Sequence, residues 1–527
     1  MTKNTTRRYT MATAVLLTAG MAFASFAGAA APGWTKSAKL YEVRTWVGQA
    51  GVGHGDGALN EATFYHPKSA VALANGKLLV ADSSNHRLRT LDADKSALYA
   101  GYWLGEDEAG NPIGGLNDDS AERAAFDSPS GLAVDAKGNV YVADSGNHAI
   151  RKIAPDGTVT TLAGSGLIGS ADGKGTNAQF HAPSDVAVDS KGNVYVADTL
   201  NHLIRKIAPN GTVTTLNAPS TRVIEYVQGA VEDAGDFLDG PIASAKFNEP
   251  SGLAVDAKDN LYVSDRGNQR IRYVDLASGQ VSTVAGGGSY DGSNAYFVQG
   301  DYADGAAAES RFNSPEGLAV TEDGAIVIAD SLNHAVRLLQ DGRVTTIAGV
   351  PTEPGSTNGV TAFAQFNRPT DVVALADGRL AIVDEHGNKV RILQKYAAPA
   401  KLPANQGIAV LLDGKLVPTE VPAQLKSGAV LLPVRDVGKA LGYQVGYDKK
   451  TGEALLTKDG TVYAIAEGKD TVKKTVSGTS AALKLNAKTV SINGRMFIPV
   501  RFFADESGLD IQWDAAAKTV VIRSKQF

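Results

Sequence analysis

An aspartate followed seven residues later by an arginine occurs six times: Asp82/Arg89, Asp144/Arg151, Asp198/Arg205, Asp265/Arg272, Asp330/Arg337 and Asp384/Arg391. Opposite charges at that separation suit matching positions on the two arms of a hairpin, where a charge-assisted pair across the strands pins the turn. Inside the interval stands Asn85, Asn147, Asn201, Asn268 or Asn333, with Gly387 and Asn388 in the sixth copy. Asparagine takes the left-handed turn conformation and bonds its own backbone, so it is expected to make the turn. His86, His148, His202 and His334 come next, replaced by Gln269 and Asn388 in two copies. Four histidines at one repeat position could suggest a metal ring, but in separate copies they would spread around a rim instead of converging within about 2–3 Å of one ion. A structural role is expected for them. A further row precedes each copy, Asp56, Asp118, Asp172, Asp239 and Asp304, with Asn358 in the last; glycine follows in five of six. Asp-Gly is turn chemistry. If these loops share one face they also make it acidic, a surface for calcium or a cationic partner, although no Asp-x-Asp-x-Asp spacing backs calcium.

The elements that must carry these residues form one unit written six times. Phe64, Phe126, Phe180, Phe247, Phe312 and Phe366 are each followed three residues later by proline. After the proline come an apolar stretch, a Gly-Asn or Asp-Gly turn, a strand ending in the aspartate, a strand around the arginine, and a fourth strand such as 159–163. Copies are spaced by 62, 54, 67, 65 and 54 residues, and the variation falls mostly in the loop leaving the fourth strand. Four-stranded antiparallel units repeated radially make a propeller, whose sheets cover one another's faces. The sixth copy stops after 390–394 without a fourth strand, while 40–48 reads as a fourth strand with no first three before it. The predicted fold is therefore an all-β six-bladed propeller over 38–396, four strands to a blade, with the N-terminal strand closing the last blade and hiding two edges.

The pattern Asp-x-x-Asn-His-x-Ile-Arg, inside the frame Gly-Leu-Ala-Val-Asp … Val-Tyr-Val-Ala-Asp, resembles the NHL repeat over residues 40–394. That resemblance implies a propeller used mainly as a binding platform for proteins, glycans or nucleic acid, with only some relatives acting as enzymes. Fold alone does not assign function.

Composition narrows the choice. The 527 residues are 43% hydrophobic, with 57 glycines and 20 prolines, which suits short strands and turns. Cysteine is absent, so disulfides, thiol catalysis and cysteine metal sites are excluded. The net charge of −5 argues against nucleic acid as partner. Lys3, Arg7 and Arg8 precede an apolar run over 11–26 that ends in small residues at 27–31. Residues 1–29 are read as a secretory signal peptide cleaved near Ala29, and no later run is long enough to span a membrane. A secreted or envelope-associated chain follows. Gly-x-Ser-x-Gly, the phosphate-binding glycine loop and His-Glu-x-x-His are all missing. The polar residues recur symmetrically, whereas catalysis needs a unique cluster, and nothing in the sequence brings His54, His66, His181 and His386 together. No catalytic, cofactor-binding or metal-binding residue is assigned, no cofactor is expected, and the ligand-binding residues stay open.

Residues 397–405 read as a proline-bearing linker. Beyond it, 406–527 contains two related half-units, one with "LPVRDVGKALGYQVGYD" and the other with "IPVRFFADESGLDIQWD", each strand, short helix, then strands. A small α+β domain is predicted. These motifs resemble the copper amine oxidase N-terminal-like (stalk) domain of exported proteins of Gram-positive bacteria. No histidine lies in 405–527, so copper would lack its preferred ligands there and no amine oxidase activity is implied. Residues 405–527 hold 17 Lys plus Arg against 12 Asp plus Glu, and residues 30–404 hold 31 against 44. The basic module could touch anionic cell-wall polymers through screened contacts, or be ordinary surface. Together these readings give a secreted envelope or extracellular binding or scaffold protein whose partner is an unidentified protein or glycan. The competing reading is a metal-assisted lactonase or lyase at the channel mouth.

Overall fold

A computed structural model describes residues 38–227, 229–292, 294–398, 407–426 and 428–527. The leader assigned to 1–29 and most of the 397–405 connection lie outside the described residues. The chain is nearly all β, with only two short α-helices among the described residues.

Six antiparallel sheets share one plan, and we number these propeller-like blades in chain order. In the first, strands Pro67–Ala72, Leu78–Asp82, Arg87–Leu91 and Lys95–Ala100 follow one another outward. The second strand of each blade is buried nearly throughout, as in Leu78–Asp82 and Val140–Asp144. Its run of Val, Ala and Leu suits a strand covered on both faces. Apolar clusters lie between successive sheets; Leu79, Leu88, Phe126 and Val142, for example, join the first blade to the second. The first strands touch one another in a cycle, Pro369–Ala374 of the sixth blade meeting Pro67–Ala72 of the first. After the third blade a hairpin, Arg222–Val227 with Ala230–Ala234, occupies the longest of the connecting loops.

The sixth sheet draws its outer strand from the other end of the chain. Tyr41–Val47 pairs antiparallel with Lys389–Lys395, from Tyr41 opposite Lys395 to Val47 opposite Val390, with a bulge between Thr45 and Val47. Pairing satisfies two edges that would otherwise stand open.

In the C-terminal domain the two half-units meet strand to strand, Leu432 opposite Ile498, and each runs into a short helix, Val434–Ala440 or Arg501–Ser507. Gly508 ends the second helix at φ 65°, a left-handed stop that favours glycine. Leu432, Val437, Tyr463, Ile498, Phe502 and Phe503 form its core.

Nothing in the sequence announced how the domains meet. Leu411 and Val521 of the C-terminal domain belong to the same buried cluster as Leu40, Tyr41 and Tyr396. Arg523, almost wholly buried, donates from Nη1 to the carbonyls of Leu40 and Tyr41, both at 3.3 Å, and from Nη2 to Lys39 O at 2.6 Å. Asp514 accepts from Tyr396 Oη at 2.9 Å and pairs with Lys395 Nζ at 2.7 Å. Phe527 N donates to Asn358 O at 3.1 Å, and Arg44 lies over the Phe527 ring. The domain thus grips the closing strand and its neighbours.

Candidate functional site

At the base of the turn between the second and third strands of each blade sits one buried arginine. Arg89 Nη1 reaches Asp82 Oδ2 at 3.0 Å and Thr63 O at 2.7 Å, while Nη2 reaches Asp56 Oδ1 and Gly55 O, both at 2.6 Å. The Phe64 ring covers the guanidinium at 4.5 Å. The same set recurs around Arg151, Arg205, Arg272 and Arg337, whose side chains are fully buried. Arg391 holds Asp384 at 3.0 Å but has Asn358 Oδ1 as its second partner, also at 3.0 Å. Two expectations change here. The arginine is not opposite its aspartate; Val80 faces Arg89 and Asp82 faces Arg87, so the pair is diagonal. The row Asp56, Asp118, Asp172, Asp239 and Asp304 does not form a free acidic face either, because each is the second carboxylate on a buried guanidinium. Burial pushes the Asp82 carboxyl up to about 6 against the attraction of Arg89. With Tyr65 N, Asn85 Nδ2 and Arg89 all donating to it, the carboxylate is the form this node is built for at neutral pH.

The turn above the node also departs from expectation. Left-handed backbone belongs to the residue after the asparagine: His86 at φ 53°, His148 at 49°, His202 at 58°, Gln269 at 54°, His334 at 53° and Asn388 at 53°. The asparagine's amide instead bridges the buried aspartate and a loop carbonyl, as Asn85 Nδ2 does to Asp82 Oδ2 and Gly53 O, both at 2.8 Å. His86 Nδ1 accepts from Ser128 N at 2.9 Å, and His148, His202, Gln269, His334 and Asn388 accept likewise from the following blade. Four histidines are therefore ties between blades. Accepting at Nδ1 suits the neutral ring, and burial holds the His148, His202 and His334 pKa values below the usual value.

At this same end of the strands, beside the start of each first strand, the repeat breaks. The residue after the proline is Lys68, Ser130, Ser184, Ser251, Glu316 or Thr370, and the residue after the buried aspartate is Ser83, Ser145, Thr199, Arg266, Ser331 or Glu385. Hydroxyls at these places stitch one blade to the next: Thr199 Oγ1 donates to Pro250 O at 2.9 Å, Ser184 Oγ to Ser251 O at 2.8 Å, and Thr370 Oγ1 to Lys68 O at 2.9 Å. Lys68, Arg266, Glu316 and Glu385 stand where other blades place such a hydroxyl. Blades two and three carry no charge at these positions, so the ring has a plain half and a charged half.

The charged half lines a cavity of about 640 Å³. Arg266 Nη2 makes a close ion pair with Glu249, and its Nη1 lies 3.8 Å from Glu316. Arg368 Nη1 lies 3.3 Å from His386 Nε2, and His386 stacks on His66 with centroids 5.0 Å apart. Two histidines that the sequence left unconnected are thus neighbours; His181 likewise sits edge-on to His148 at 5.8 Å, and His54 rests on Trp103. Burial, then the neighbouring His386 and Lys68, lowers the His66 pKa, and burial with Arg368 and Lys68 lowers that of His386. Burial raises Glu316 and Glu385, opposed chiefly by Arg266 and Lys68 respectively. Among the described residues, Lys68, Arg368 and Glu385 make no ion pair within 4 Å. One wall is a loop between the fourth and fifth blades that presents Phe297, 44% exposed. Arg222 of the inserted hairpin fastens that loop by donating to Ala295 O at 2.5 Å and Tyr296 O at 3.0 Å and by covering the Tyr290 ring.

Deeper along the axis, Asp185 and Asp371 come from the third and sixth blades. Asp371 Oδ2 accepts from Ser69 Oγ at 2.8 Å and Ala70 N at 2.9 Å, and Asp185 Oδ2 accepts from Leu253 N at 2.7 Å. A Cβ on Gly131 or Gly317 would lie 2.2 Å from one of these carboxylates, so glycine is required beside each. Their oxygens are spent on neighbouring backbone, which makes them ties and not a free acid pair. Among the described residues no group of three or more His, Asp or Glu is placed to hold a metal ion.

The mouth residues lie outside the pattern that the copies share, which is all that a repeat makes legible. The signal was present in the departures from Ser or Thr after the proline and after the aspartate.

Comparison with known proteins agrees with the repeat and the added domain. The NHL repeat matches residues 126–153, 180–207, 247–272 and 312–337, and the copper amine oxidase N-terminal domain matches 411–522. Protein SUPPRESSOR OF QUENCHING 1 of Arabidopsis thaliana is 31% identical over 346 residues, 62% of this chain and 30% of that protein. NHL repeat-containing protein 2 of Homo sapiens is 28% identical over 323 residues, 56% of this chain and 42% of that protein. The chain spans less than half the length of these curated relatives. Among solved structures, an auxiliary nutrient binding protein from Bacteroides ovatus aligns with TM-score 0.47 and 16% identity over 67% of this chain and 76% of that one. A gluconolactonase from Xanthomonas campestris aligns with TM-score 0.39 and 14% identity over 68% and 92%. The chain carries NHL repeats followed by a copper amine oxidase N-terminal domain.

Proposed function

We propose that this chain is a secreted or envelope-associated binding protein, a six-bladed NHL propeller over 38–396 that takes its ligand in the charged half of the mouth. The stalk-like domain over 406–527 stays docked on the closing strand and brings the propeller to the envelope. One observation carries the reading: at Lys68, Arg266, Glu316 and Glu385 the chain places charges where its other blades place blade-stitching hydroxyls. Partly covering a charge costs solvation and giving up a stitch costs a hydrogen bond, so such an exchange at one end of a ring is what a binding site asks for. The lactonase or lyase reading needs donors converging on an ion, and no geometric observation favours it.

The test restores the plain pattern. A variant with serine at 68, 266, 316 and 385 should stay folded by circular dichroism and lose the thermal upshift that a panel of amino acids, peptides and sugars produces in the parent. A panel that shifts parent and variant alike would overturn the mouth as the site. For localisation, cell fractionation should place the processed chain outside the cytoplasmic membrane, with wall association weakened at moderate salt.

A further inference from the structure

We infer that the mouth binds a small zwitterion, an α-amino acid or short peptide with both termini free, its carboxylate against Lys68 and Arg368, its ammonium against Glu385, and its side chain against Phe297 and Leu332. This inference rests on the proposed mouth site and names its ligand class.

Charge matching selects the class. Arg266 is already engaged by Glu249 and Glu316, which fixes it as part of the wall. Lys68, Arg368 and Glu385 remain without a close ionic partner among the described residues, yet they share one cavity. His66 and His386 stack beside Arg368 and are held toward the neutral form by burial and nearby positive charge. A ligand with a single charge would match one kind of group and compete with the attraction that Glu385 already has to Lys68 and Arg368. A neutral sugar would match neither sign. A molecule carrying both signs a few bonds apart satisfies both at once.

Shape agrees with charge. Phe297 and Leu332 are exposed large apolar residues of the same cavity, 44% and 37% open, and offer a surface for a side chain. The Phe297 wall is also prepared in advance. Asn248 Nδ2 donates to Tyr296 O at 2.7 Å, Gln269 Nε2 donates to Val298 O at 3.1 Å, and Arg222 holds the other side. Holding a wall in its bound position reduces the ordering that binding must supply. The volume of about 640 Å³ exceeds what one amino acid fills, which leaves room for a second residue.

Titration calorimetry on the full chain separates the outcomes with three probes: the dipeptide Ala-Phe, its N-acetylated and C-amidated counterpart, and maltose. The free dipeptide should bind, and capping should weaken it by at least about tenfold, which is the loss of one well-placed charge contact. Glu385→Gln and Arg368→Gln should each weaken the free dipeptide by about tenfold, and Phe297→Ala by several-fold, with unchanged circular dichroism. Equal binding of capped and free dipeptide, or binding of maltose alone, would overturn the zwitterion and leave the mouth standing. Should none of the three bind while the broader panel shifts parent and serine variant equally, the mouth itself is lost as the site.

Discussion

The bases of the hairpin turns and the mouth lie at the same end of the blades and are built from the same six copies, yet they treat charge in opposite ways. At the base every arginine is enclosed by a buried aspartate, an aromatic ring, backbone carbonyls and a second polar partner, and the pattern hardly varies. At the mouth, charges are confined to four of six blades, several lack a close partner, and no two of the charged blades agree. A network that must fold in every copy is constrained to repeat. A surface that must recognise one asymmetric molecule is free to diverge, and only where a hydroxyl stitch can be given up.

Breaking the base should cost most. Asp144→Ala leaves Arg151 with Asp118 alone, and removing one member of a buried pair costs about 3–5 kcal/mol. Asp384→Ala should be worse, because Arg391 then has only the neutral Asn358; denaturant unfolding of the two variants ranks them. Equal losses would mean that the second carboxylate contributes nothing to the node.

The next largest effect lies at the domain contact. Arg523→Ala removes charge-assisted bonds to three carbonyls beside the closing strand and should cost about 2–3 kcal/mol. Limited proteolysis should then cut near residue 40 before it cuts the inner blades. If cleavage is unchanged, the C-terminal domain rests on the ring without securing it.

A smaller effect concerns pH. His202 is held below its ordinary pKa by burial, with Glu249 pulling the other way and Arg222 adding to the depression. The folded state then binds fewer protons than the unfolded chain, so stability falls as pH drops through about 6.5. His202→Gln keeps an acceptor of the kind Gln269 provides in the fourth blade and cannot titrate. Thermal melts between pH 7.5 and 5.5 should show a shallower loss in this variant than in the parent, and parallel curves would reject the tie as a titrating element.

The smallest expected change in stability is at the mouth. Arg368 is exposed and makes no ion pair within 4 Å among the described residues. Arg368→Gln should therefore alter stability by less than about 0.5 kcal/mol, as for a surface substitution, while weakening dipeptide binding by about tenfold. A large loss of stability there would erase the contrast between base and mouth.

Much of the base was legible in advance. The seven-residue Asp/Arg interval gave the ion pair, and the orphan strand at 40–48 gave the pairing with Lys389–Lys395. The asparagine was read as the left-handed residue because its propensity favours it; the structure gives that conformation to His86 and its equivalents, since the asparagine amide is needed at the buried carboxylate. Propensity yielded to a hydrogen-bond demand that only packing creates. Asp56 and its equivalents were misassigned for a similar reason: they lie 33 residues from their arginines, and no local rule links them.

The order of strands, the repeat, the two half-units after it and the absence of thiol chemistry were written in the sequence, because periodicity and residue type are local properties that survive in one dimension. Which charges share a cavity, which histidines touch, and where Arg523 comes to rest were decided by the tertiary structure. Those contacts join residues hundreds of positions apart, as Arg523 to Leu40, and arise only when the ring brings first and last strands together.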